Sequence, residues 1–120
     1  MITVKWIAGA ALLLIATCGL ATAQSYPVKP IRMVVPYAPG GPADTVGRLL
    51  SERLSQALGQ AIVVLNKDGA GTIIGTDYAA KSPPDGYTLL LNSTAIVMNT
   101  AQGRKLPYDL QRDLTPLSIY

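Results

Sequence analysis

The sequence predicts an α/β protein: a parallel sheet with helices on both faces. Three observations carry this expectation. Short apolar, β-branched runs alternate with segments whose apolar residues recur at spacings of three and four. Each run is followed by a loop rich in Gly, Pro, Asn, Ser and Thr. The resulting order, β-α-β-α-β with short connections, calls for parallel strands joined by crossover helices.

Residues 1–23 read as an address. Lys5 supplies a positive start, residues 7–16 are apolar and uncharged, and Ala21-Thr22-Ala23 is a small-x-small cleavage signal. This is a secretory signal peptide, with cleavage expected after Ala23. The rival reading is a membrane anchor. Thr17, Cys18, Gly19 and Thr22 interrupt the apolar run before Ala23, and a span needs about 20 mostly apolar residues. Residues 15–18 loosely resemble a lipoprotein box, with Thr17 where a smaller residue is usual. Cys18 is more simply a small apolar residue of a discarded peptide.

The mature chain, residues 24–120, starts extended, because Pro27 and Pro30 restrict it. Residues 31–37 (IRMVVPY) form the first strand, which Pro36 ends. Residues 38–42 (APGGP) make a turn. Val46, Leu49, Leu50, Leu54, Ala57 and Leu58 then place one apolar stripe on a helix. Asp44 stands at its start as a cap and Gly59 just past its end as a stop.

Residues 61–65 (AIVVL) are a second strand, without polar alternation, as in a strand buried on both faces. Residues 66–71 (NKDGAG) form a Gly-rich turn. A second helix follows over 72–81, with Ile73, Ile74, Tyr78 and Ala79 facing inward. Residues 82–86 (SPPDG) are a turn, 87–91 (YTLLL) a third strand, and 92–94 its polar exit. Leu106-Pro107-Tyr108-Asp109 reads as a fixed turn, and residues 117–120 as the beginning of a fourth strand. No internal repeat or low-complexity segment interrupts this order.

Composition narrows the function. The 120 residues hold 10 Lys+Arg, 7 Asp+Glu, no His and one Cys. Without His the usual general base and the commonest metal ligand are missing. A single Cys rules out an internal disulfide and a Cys-pair zinc site. The net charge of +3 is scattered, with no basic patch of the kind that binds nucleic acid. No nucleophile–base pair is visible. The expectation is a protein that is not an enzyme and uses no cofactor, metal or nucleic acid.

In an open parallel sheet, ligands bind beyond the carboxyl ends of the strands. Residues 39–44, 66–72 and 92–94 leave those ends, and the first two run into helix N-termini, where free N–H groups favour an anion. Together they predict a site for a small anionic or strongly polar solute, a carboxylate above all. Taken singly, Pro39-Gly40-Gly41 is an ordinary turn, Asp44 a helix cap, and Ser93 and Thr94 strand-exit residues. A rival is an NAD(P)-binding oxidoreductase fragment using Gly69-x-Gly71-x-x-x-Gly75. Its spacing departs from the dinucleotide fingerprint, and Asn92 stands where the acidic residue belongs.

The residues also carry a resemblance. Tyr26-Pro27-x-Lys29-Pro30-Ile31-Arg32 is followed by Val34-Val35-Pro36-Tyr37-x-Pro39-Gly40-Gly41-x-x-Asp44 and Leu58-Gly59-Gln60. Gly69-Ala70-Gly71, Ile74-Gly75, Pro84-Asp85-Gly86-Tyr87-Thr88-Leu89-Leu90 and Leu106-Pro107-Tyr108-Asp109 complete the series. Over residues 26–120 the chain resembles the start of the Bug family. These are the TctC-type extracytoplasmic solute receptors of tripartite tricarboxylate transporters.

The resemblance implies a periplasmic-binding-protein-like (type II) fold of two α/β lobes, monomeric when full length, with the ligand between them. It implies a small carboxylate-type solute handed on to the membrane subunits of a tripartite transporter, and a periplasmic location. By motif it points to Gly40, Gly41 and Asp44 in the first loop, Gly71 and Thr72 in the second, and Ser93 and Thr94 in the third. The ligand carboxylate would be held largely by backbone amides and bridging waters.

The chain departs from the family at three places. Thr72 replaces the last Gly of Gly-Ala-Gly-Gly, Asp68 a Pro, and Leu65 an acidic residue. Family members are several-fold longer. Residues 24–120 are therefore expected to be an incomplete first lobe of a truncated or fragmentary product, binding poorly alone. A non-functional gene remnant is a further alternative.

Overall fold

A computed structural model of the protein describes residues 25–119. The expected signal peptide, residues 1–23, and its expected cleavage site lie outside the described residues. Three strands, β1 (Ile31–Val35), β2 (Ile62–Asn66) and β3 (Thr88–Leu90), form one sheet in the order β2-β1-β3. Three helices connect and follow them: α1 (Pro42–Leu58), α2 (Ile73–Ala80) and α3 (Ala95–Ala101). A 3-10 turn, Ala70–Thr72, leads into α2.

Both pairings are parallel. Ile31 lies opposite Ile62 and Val35 opposite Asn66, while Arg32 lies opposite Thr88. The ladder runs one residue past each strand end, through Ile31 N–H to the Ala61 carbonyl and Leu91 N–H to the Val34 carbonyl, both 2.9 Å. β1 has neighbours on both sides, and its Met33, Val34 and Val35 are buried.

Alternation along β1 separates the two helix layers. On one face, Met33 and Val35 join Leu91 in the core, with Ala43 and Leu54 of α1 against them. The Ser51 hydroxyl donates to Met33 Sδ at 3.4 Å. On the other face, Arg32 Nη1 donates to the Tyr78 hydroxyl of α2 at 2.9 Å. Helices thus cover both faces, as the βαβ pattern requires.

Two glycines set how closely these layers meet. A β-carbon on Gly47 would stand 2.9 Å from Val35 Cγ2, and one on Gly75 only 2.6 Å from both the Lys67 carbonyl oxygen and Pro36 Cβ. Neither helix could approach the sheet this closely with a larger residue at those points.

The structure corrects several expectations. The first strand ends at Val35, two residues before Tyr37. The face that α1 turns to the sheet is Ala43, Gly47, Ser51 and Leu54, whereas Val46, Leu49, Leu50 and Leu58 are exposed. Small residues lie where the helix crosses β1, and the larger apolar ones flank the crossing. β2 is an edge strand, so Val63 is 52% exposed rather than buried on both faces. On α2 the buried positions are Gly75 and Thr76, and Ile74 is 52% exposed.

Residues 117–119 form no strand among the described residues; Leu117 and Ile119 are exposed. α3 was not anticipated at all. Gly59 does end α1 in a left-handed conformation, its N–H bonded to the Ser55 carbonyl at 3.0 Å. Directly after the turn expected at residues 106–109, the Asp109 carboxylate accepts the N–H groups of Gln111 and Arg112 at 2.9 and 3.0 Å.

Candidate ligand-binding site

The strand order reverses beside β1, since the chain builds β2 on one side of it and β3 on the other. Such a switch point opens a crevice at the carboxyl ends of the strands. The loops after β1, β2 and β3 all leave the sheet at that edge, because all three strands run parallel. They carry all seven residues singled out in the sequence.

The first loop is built around Asp44. Asp44 is 3% exposed, in the first turn of α1. Asp44 Oδ2 accepts the Gly40 N–H and Arg48 Nε–H, each at 2.9 Å, and Oδ1 accepts Asn66 Nδ2 at 2.9 Å. The Arg48 bond, with those from Gly40 and Asn66, holds the carboxyl far below the usual carboxylate range. Asp44 is therefore a fixed anion that shapes the loop, and the adjacent Arg48 offsets its charge. Asn66 also donates to the Tyr37 carbonyl at 3.1 Å, which ties the end of β2 to the same loop.

The second loop runs through four successive residues with positive φ: Gly69 at 132°, Ala70 at 49°, Gly71 at 62° and Thr72 at 78°. Ala70 and Thr72 carry β-carbons in a conformation that disfavours them. Thr72 is 3% exposed and stands at the N-cap of α2. Its carbonyl accepts the Thr76 hydroxyl at 2.8 Å. Asn99 of α3 donates to the Gly71 carbonyl at 2.7 Å, which pins the loop.

The third loop is joined to the first by Tyr37. The Tyr37 hydroxyl donates to Asn92 Oδ1 at 3.1 Å and lies 2.6 Å from Ser93 Oγ. Asn92 Nδ2 donates to Thr76 Oγ1 at 2.9 Å. Thr76, fully buried, thereby connects the third loop to the second. Ser93 and Thr94 are exposed at the start of α3.

One polar network thus joins the loops. The structure brings Asp44 to Gly40 within the first loop, and Ser93 of the third to Tyr37. Gly41 sits at the N-cap of α1, ahead of Pro42 at the first helical position. Thr94 makes no side-chain bond to the other loops. Sequence reasoning missed the connectors Tyr37, Asn66, Thr76 and Asn99. Tyr37 and Asn66 carried a signal, as polar side chains at the carboxyl ends of strands. Thr76 and Asn99 looked like ordinary helix positions.

Comparison with known proteins places the chain. The sequence profile described as the tripartite tricarboxylate transporter family receptor matches residues 46–120. Protein BugT of Bordetella pertussis is 46% identical over 110 residues, covering 88% of this chain and 34% of that protein. A solved structure of a periplasmic transporter superposes with a TM-score of 0.65 at 49% identity, over 70% of this chain and 29% of that one. MatC from Rhodopseudomonas palustris, solved with bound malate, superposes with a TM-score of 0.66 at 36% identity, over 76% of this chain and 31% of that one. The chain spans about a third of the length of the curated relatives it matches.

Proposed function

The chain belongs to the tripartite tricarboxylate transporter receptor family, and from that premise we propose that it forms one wall of a periplasmic binding site for a small carboxylate. One observation carries the reading: three parallel strands deliver three polar loops to one edge, and a single hydrogen-bonded network joins them. A receptor needs a shaped, rigid polar surface and no reacting groups, and these loops offer no nucleophile–base pair. The relative solved with malate supports the solute class.

In this reading Gly71 and Thr72 present backbone N–H groups to the carboxylate, Ser93 and Thr94 add hydroxyls, and Gly40 and Gly41, whose N–H groups are bonded to Asp44 and to the Ala38 carbonyl, shape the first-loop side of the site. Asp44 acts through Gly40, whose N–H it holds. Residues 1–23 direct export, and residues 24–120 form the first-lobe wall. A second wall from another lobe would close the cleft, and membrane subunits of a tripartite transporter would receive the solute.

Thermal unfolding tests the reading. Malate, succinate and citrate, each at high concentration, should raise Tm, because a ligand that binds the folded state stabilises it. The corresponding amides should not. An equal rise with carboxylates and amides, or no rise with any carboxylate, contradicts it.

A further inference from the structure

Arg104 follows α3 and is exposed. Its guanidinium makes no hydrogen bond, ion pair or ring contact among the described residues. It nevertheless lies against the second loop: Nη1 is 3.8 Å from where a β-carbon on Gly71 would stand, and Asn99 Oδ1 is 3.9 Å from the same point. Because Asn99 also holds the Gly71 carbonyl at 2.7 Å, the loop beside the guanidinium is fixed. Two other cations beside these loops already have partners. Arg48 pairs with Asp44 at 2.9 Å, and Lys67 sits over the Tyr78 ring, 4.8 Å from its centroid.

A free guanidinium offers parallel N–H donors that match a carboxylate's two oxygens, with a fixed charge. Backbone N–H groups of the loops can hold one carboxylate, but they carry no net charge to balance a second. We propose that Arg104 is the specificity-determining residue that takes the second carboxylate of the solute, so that the site selects dicarboxylates over monocarboxylates. This rests on the reading of the three loops as a carboxylate site.

The test compares succinate with its monoamide, succinamate, by NMR titration of the protein and of its Arg104→Gln and Arg104→Lys variants. A charge-assisted bond is worth about a ten- to hundredfold change in affinity. The unmutated protein should prefer succinate by at least about tenfold. Arg104→Gln should abolish that preference while leaving succinamate affinity unchanged, and Arg104→Lys should keep part of it. Equal affinity for the two ligands in the unmutated protein, or a preference that survives Arg104→Gln, overturns the role of Arg104 alone. So does an equal loss for both ligands in Arg104→Gln. Failure of the unmutated protein to bind either ligand overturns the carboxylate site as well.

Discussion

Asn66 donates its side-chain amide to Asp44 Oδ1 at 2.9 Å, so the last residue of β2 is bonded to the first turn of α1. The same amide reaches the Tyr37 carbonyl at 3.1 Å. Two loops that are distant in sequence are thereby held as one surface, with a buried carboxylate at its centre.

That carboxylate makes stability depend on acid. Its bonds to Arg48, Gly40 and Asn66 depress its pKa in the folded protein. The unfolded chain has the ordinary value near 4. The stabilisation is therefore complete above that value and is lost as pH falls below it. Asp44→Asn should lower Tm at pH 6, and the gap to the unmutated protein should narrow as pH falls toward 2. A gap that stays constant from pH 6 to pH 2 would show that the charge of Asp44 adds nothing.

Gly75→Ala should be the costlier of two glycine substitutions. Its new methyl would meet backbone and a proline ring at 2.6 Å, whereas Gly47→Ala would meet side-chain methyls at 2.9 and 3.2 Å. Overpacking costs about 1–3 kcal/mol, and Gly75→Ala belongs at the upper end because a carbonyl cannot rotate aside. Urea denaturation of the two variants gives the order directly.

Thr76→Val keeps the shape of a fully buried side chain and removes its hydroxyl. Asn92 Nδ2 and the Thr72 carbonyl then lose a partner. The expected loss is about 1–3 kcal/mol, with amide shifts at Ser93 and Thr94 in the third loop. Thr76→Ser should restore both. If Thr76→Val leaves the third-loop amides in place, the network does not couple the second and third loops.

Thr72→Gly reverses a departure from the family pattern. Thr72 has φ 78°, and a non-glycine residue in that region carries about 1–3 kcal/mol of strain. Glycine returns about 0.5–1 kcal/mol in chain entropy and gives up the buried side chain. The variant should be within about 1 kcal/mol of the unmutated protein or more stable, where most changes at a residue this buried destabilise. A loss well beyond that by chemical denaturation would mean that the threonine packing outweighs the strain.

The sequence made the layer order legible because parallel strands and crossover helices each leave a distinct period, and the loops because Gly, Pro and Asn punctuate them. It misjudged faces. The apolar stripe of α1 led to Val46, Leu49 and Leu50, while the sheet takes Gly47 and Ser51. Periodicity reports hydrophobicity, and a close helix crossing selects for small size instead. β2 looked buried on both sides because Ile62, Val63, Val64 and Leu65 show no alternation, yet its place at the sheet edge exposes Val63. Strand order is a long-range property that a single strand does not encode.

Within the candidate site, the glycines and the Ser-Thr pair were readable from their positions after strands. The polar ties between loops were not. Thr76 meets Asn92 across 16 residues and Asn99 meets Gly71 across 28. Nothing in the local sequence of a threonine or asparagine on a helix distinguishes a buried tie from a solvated side chain.

The most direct test of the carboxylate wall is a map of amide shifts on adding malate, which detects even millimolar affinity. A carboxylate held by the three loops predicts saturable shifts confined to Gly40, Gly41, Gly71, Thr72, Ser93 and Thr94 and their immediate neighbours. Shifts centred elsewhere, such as the groove between Arg32, Lys67 and Tyr78, or none at concentrations on the order of tens of millimolar, would contradict it.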